Sequence, residues 1–109
     1  MSVESAAAQA GFRAPALDRV WARNGEFVSR RIGREVLLLP IAQNMGDLES
    51  LYTLNEVGAR VWELLDGRRR VADVCDLVTG EFEVDRATAE TDVLEFLGTL
   101  QTLGALTAP

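Results

Sequence analysis

Tyr52 to Gly67, YTLNEVGARVWELLDG, passes from a strand-like run into a short amphipathic helix and stops at a glycine, so its reading decides where sheet gives way to helix. Asn55 stands where the period changes. Its side chain can accept an amide hydrogen that the first helical turn leaves unpaired, which marks it as an N-cap. Val57, Val61, Leu64 and Leu65 then fall on one helical face until Gly67 ends the run. The stretch carries no histidine, no cysteine and no obvious catalytic pair, so its order must serve something other than chemistry.

Upstream, EFVSRRIGREVLLLP predicts a β-hairpin. Its runs, Glu26 to Arg31 and Glu35 to Leu39, are joined around Ile32-Gly33-Arg34, where Gly33 can take the positive φ of a tight turn. PIAQNMGDLES is then a loop feeding a third strand, Leu51-Tyr52-Thr53-Leu54. Residues 1–16, rich in Ala, Ser and Gln without periodicity, are expected to be a flexible N-terminal segment, and 17–109 the folded domain. Downstream, Val71, Val74, Cys75, Val78 and Phe82 form the stripe of a second helix. Arg68-Arg69-Arg70 is read as a solvated turn between the first two helices. A third helix is predicted from an N-cap at Asp85 to Gly104, with a core stripe of Ala89, Val93, Phe96, Leu97, Leu100 and Leu103. Leu94 lies about 120° from the centre of that stripe, either at the edge of a wide buried face or exposed as a contact point. A three-stranded antiparallel sheet followed by three helices is an α+β domain of winged-helix type.

The totals exclude several functions. A chain of 109 residues, 48% hydrophobic, suits one domain. With one cysteine and no histidine, an intrachain disulfide is impossible and the usual nitrogen and sulfur ligands of zinc are missing. Cys75, mid-stripe in the second helix, reads as a small core residue rather than a reactive thiol. No window reaches the roughly 18 apolar residues of a membrane span, and the N-terminus is not a secretory signal, so a cytoplasmic protein is expected. All 11 basic residues are Arg. Residues 1–55 hold six of them against six acids and residues 56–109 five against eleven, so the net charge of −6 sits in the second half, which should repel phosphate. The third helix offers only Arg86 against Asp85, Glu90, Asp92 and Glu95, a poor recognition helix for nucleic acid. No lysine, no activated nucleophile, no GxGxxG, no P-loop and no CxxC are present, which leaves neither an enzyme nor a cofactor indicated.

The pattern L-N-E-x-G-A-x-x-W-E-L-L-D-G at Leu54 to Gly67, with Val71 to Val74 and the run D-V-L-E-F-L at Asp92 to Leu97, resembles the PqqD family. These are small peptide-binding proteins of ribosomal peptide biosynthesis, also called RiPP recognition elements. The similarity covers Glu26 to Leu106, while the loop Pro40 to Glu49 is longer than in the shortest members and the first 16 or so residues lie outside the pattern. The resemblance implies a non-catalytic domain that takes the leader of a precursor peptide as an added strand on its third strand, in the groove before the third helix. It implies presentation of that leader to a modifying enzyme such as a radical SAM protein. On that view Ser50 to Thr53, that is Ser50, Leu51, Tyr52 and Thr53, form the docking rail. If Tyr52 and Leu54 point into the core, Leu51 and Thr53 point away. Leu94, Leu97 and Gln101 are favoured as the opposite wall over Asp92, Thr99 and Leu103 on the other flank. An acidic second half suits a leader carrying Lys or Arg. A homodimer through the same strand edge and, as a competing class, a winged-helix transcriptional regulator or adaptor remain open.

Overall fold

The computed structural model describes residues 16–41 and 52–109. Ser50, Leu51, the N-terminal residues 1–15 and most of the long loop lie outside them. Strands β1 (Val20–Arg23), β2 (Phe27–Ile32), β3 (Glu35–Pro40) and β4 (Tyr52–Leu54) precede helix α1 (Glu56–Leu64), strand β5 (Asp66–Arg70), helices α2 (Val71–Glu81) and α3 (Arg86–Leu103), and strand β6 (Leu106–Thr107). Two antiparallel three-stranded sheets result, in the orders β2-β3-β4 and β5-β1-β6.

The expected hairpin forms, with Phe27 opposite Pro40 through Ile32 opposite Glu35, and Gly33 takes a φ of +64° in its turn. β4 pairs with β3 so that Leu54 faces Val36 and Tyr52 faces Leu38. Val36, Leu38 and Leu54 point to the helices and are buried, while Thr53 on the other phase is exposed. This is the alternation that a sheet with one wet face requires.

Asn55 caps α1 as its sequence position demands: its Oδ1 accepts the Gly58 N–H at 2.8 Å. Asp85 does the same for α3, its carboxylate accepting the Thr88 N–H at 2.7 Å, and this bond to the charged form holds the Asp85 pKa below the ordinary value. The far end of α3 closes at Gly104, where the Ala105 N–H donates to the Leu100 carbonyl and the Gly104 N–H to that of Gln101. Ala59, Val61, Trp62, Leu64 and Leu65 of the first helical stretch, Val71, Val74, Cys75 and Val78 of α2, and Ala89, Val93, Leu97 and Leu100 of α3 complete one core with no buried polar or charged residue among those described. Phe96 and Leu103 of the expected α3 stripe, and Phe82 beyond α2, are half-buried at its margin.

Three expectations need correction. Arg68-Arg69-Arg70 is not a solvated turn but the end of β5, and its charges are partly neutralised: Arg69 pairs with Asp66 at 2.6 Å and Arg70 with Asp73 at 3.1 Å. α1 ends at Leu64, before Gly67, which sits within β5 at a φ of +78°. β1 places Val20 opposite Arg70 and Ala22 opposite Asp66, so β5 carries two extra residues between the matched pairs, and Gly67 supplies the left-handed backbone of that bulge. A Cβ there would stand 3.4 Å from the Ala22 Cβ, so the site rejects a side chain on conformation as well as on space. The second sheet itself was not expected. It fastens the helix ends: Arg23 of β1 donates to the carbonyls of Glu63 at 2.7 Å and Trp62 at 3.2 Å, the C-terminal groups α1 cannot satisfy internally, and the Asn24 side chain donates to the Gly104 carbonyl at 2.8 Å.

Two outcomes follow for stability. Asn55→Ala should lower unfolding free energy by about 1 kcal/mol, within the 0.5 to 2 kcal/mol range of lost N-caps, read as a shift in denaturant midpoint at unchanged slope. Burial pushes the Cys75 thiol up to about 11, so at pH 8 it is protonated and enclosed. It should resist thiol labelling until the chain unfolds, and Cys75→Ala should cost about 1 to 3 kcal/mol in chemical denaturation.

Candidate functional site

β4 is an outer strand. Within its sheet it pairs with β3 on one side, and among the described residues nothing pairs with the other. That edge presents backbone N–H and C=O groups that only water or an incoming chain can satisfy.

Beside the edge lies a groove of about 450 Å³. One bank is β4, with Tyr52, Thr53 and Leu54, and the floor is α1, with Val57, Gly58 and Val61. The opposite bank is α3, where Asp92, Glu95, Phe96 and Thr99 recur at helical spacing over Ala89 and Val93, and Val78 and Val84 close one end. The Tyr52 and Phe96 rings span it, their centroids 6.4 Å apart at a tilt of 32°. Gly58 makes this approach possible. A Cβ there would lie 3.3 Å from the Asn55 Oδ1 and 3.6 Å from Phe96 Cζ, tight against the capping oxygen and in contact with the ring. A shallower hollow lined by Arg34, Glu35 and Glu56 adjoins Thr53 and Asn55 on the other side.

The residues singled out from the sequence divide as follows. Tyr52 and Thr53 line the groove, while Ser50 and Leu51 are outside the described residues. Leu97 is a core residue at 3% exposure, Leu94 packs half-buried against the core, and Gln101 is exposed; none of the three lines the groove. Two members of the other flank, Asp92 and Thr99, do line it, and Leu103 does not. Phe96 and Glu95 were not anticipated as groove residues. Phe96 had been counted as core, and the small residue Gly58 one helix away was the available signal that an aromatic ring closes over α1 there.

The chemistry of the walls is apolar with an acidic rim. No Arg lines the groove, and Asp92 and Glu95 form no ion pair among the described residues. Arg86, the single Arg of α3, is held by Glu90 at 2.7 Å and by Asp76. Among the described residues no cluster of three His, Cys, Asp or Glu could hold a metal ion, and no helix is long and apolar enough to cross a membrane.

Residues 35–106 match the family model of coenzyme PQQ synthesis protein D (PqqD). A comparison with curated proteins gave no match. Among solved structures, the chain is similar to TbiB1 in complex with the TbiA(beta) leader peptide, at 31% identity and a TM-score of 0.65, with 81% of this chain and 96% of that one covered. It has the same fold as lasso peptide synthetase B1 complexed with its leader peptide, at 24% identity and a TM-score of 0.65 over 80% of this chain and 96% of that one. With about two thirds of its length in the family model and β3 through β6 inside the match, the chain belongs to the PqqD family.

Proposed function

We propose that this protein is a non-catalytic recognition element that captures the leader of a ribosomally made precursor peptide and presents it to a separate modifying enzyme, with a radical SAM protein as the expected kind of enzyme. The observation that carries the reading is the open edge of β4 set against the groove before α3. An extended peptide laid on that edge adds a fourth strand, gaining main-chain hydrogen bonds whatever its sequence, while every second side chain turns into the groove beside Tyr52 and Leu54. The likeness to TbiB1, a structure with a leader peptide bound, supports the same use of the domain.

A nucleic-acid regulator has less in its favour. The helix that would read bases carries one Arg, already committed to Glu90 and Asp76, among exposed acids.

The test is a titration of the purified chain with a fluorescent synthetic leader from the short reading frame beside its gene, with a scrambled leader as control. Binding by the true leader alone, at low micromolar affinity or better, supports the reading, and equal binding of both peptides overturns it. Thr53→Pro, confirmed as folded by circular dichroism, should weaken binding about tenfold or more, because proline removes an amide hydrogen and obstructs pairing along a strand only three residues long. Unchanged affinity in that folded variant would exclude β4 as the rail.

A further inference from the structure

The groove is built for a peptide with a particular charge pattern. Its floor and inner walls, Val57, Val61, Val84 and Phe96, are apolar, yet its α3 rim carries Asp92 and Glu95. Both carboxylates are exposed, and neither has an ion-pair partner among the described residues. Elsewhere acids of this domain are neutralised locally: Glu63 and Glu81 by Arg60, Asp66 by Arg69, Asp73 by Arg70, Asp76 and Glu90 by Arg86. The rim is therefore a place where negative charge is left open beside apolar surface, on the bank that faces the free strand edge.

On α3, Asp92 and Glu95 stand three residues apart, about 4.5 Å along the axis, so one cationic side chain can reach both. Lys and Arg suit such a rim: their aliphatic stems cover apolar surface such as the Phe96 ring while the charged head stays at the wet edge. In an added strand, side chains two residues apart share a face. We infer that this site selects leaders in which an apolar anchor for the groove is accompanied, two or four positions away, by a Lys or Arg that sits against Asp92 and Glu95. This specificity rests on the peptide-docking reading above and deepens it.

The test uses a displayed library of random 16-residue peptides selected on the immobilised full chain, which needs no knowledge of the natural leader. Wild-type protein should enrich peptides combining an apolar residue with Lys or Arg at that spacing. The double variant D92N/E95Q should still select apolar, strand-forming peptides but lose the basic preference, and it should bind the wild-type winners about threefold to tenfold more weakly at low salt, as expected for one or two exposed ion pairs. A control double variant with the same change in net charge, E26Q/E83Q, removes two acids outside the groove and should keep the preference. Winners should lose binding to T53P, which locates them on β4. Enriched peptides without a basic excess, or an excess that persists in D92N/E95Q or vanishes equally in the control, would overturn the inference while leaving peptide docking intact. Failure of the folded wild-type chain to enrich any peptide would overturn docking, and the inference with it.

Discussion

The bond from the Gly58 N–H to the Asn55 side chain, 2.8 Å long, is the constraint on which the working face depends. It stands at the junction of β4 and α1, so it fixes the angle at which strand gives way to helix. Leu54, one residue before, is locked into the core at 1% exposure, and Gly58, three residues after, lies under Phe96 of α3. Within five residues the chain is therefore tied to the sheet, to its own helix and to the opposite bank of the groove. The ordered stretch around Asn55 does no chemistry because its task is metric: it sets the distance between an open strand edge and α3.

The same sheet has a second outer strand, and the contrast is informative. β2 also pairs on one side only among the described residues, but it carries Ser29, Arg30 and Arg31 in succession, all exposed, and charged side chains on an edge discourage adventitious pairing. β4 has no charge in its three residues and turns its free side to an apolar groove. One edge is defended and the other is left receptive. Such asymmetry is what a domain needs if it is to accept one added strand without extending its sheet in both directions.

Much of this was legible before the structure. Caps at Asn55 and Asp85, the turn at Gly33 and the stripe through Val71, Val74, Cys75 and Val78 are local signals, and local signals survive folding. The second sheet was not legible because DGRRR has no apolar alternation and β6 is two residues long. These strands are selected by tertiary pairing with β1, which no periodicity records. The facing of α3 was hidden for the opposite reason. Val93, Leu94, Phe96, Leu97, Leu100 and Leu103 surround so much of the helix that its apolar moment is weak, and the rotation that turns Phe96 rather than Leu94 to the groove is decided by contact with Gly58 and Tyr52.

Where the affinity for a peptide can come from follows from the length of β4. By the alternation of strand hydrogen bonding, three residues offer about two to four outward backbone groups, and each bond made there nets about 0.5 to 1.5 kcal/mol. Micromolar binding requires about 8 kcal/mol after the costs of association are met. The rail alone falls short, so the balance has to come from side chains entering the groove, where apolar area is worth about 25 cal/mol per Å². A short edge thus transfers the burden of recognition from backbone to side chains. The strand sets the peptide's direction and register, and the bank formed by Phe96, Asp92, Glu95 and Thr99 decides which peptides stay.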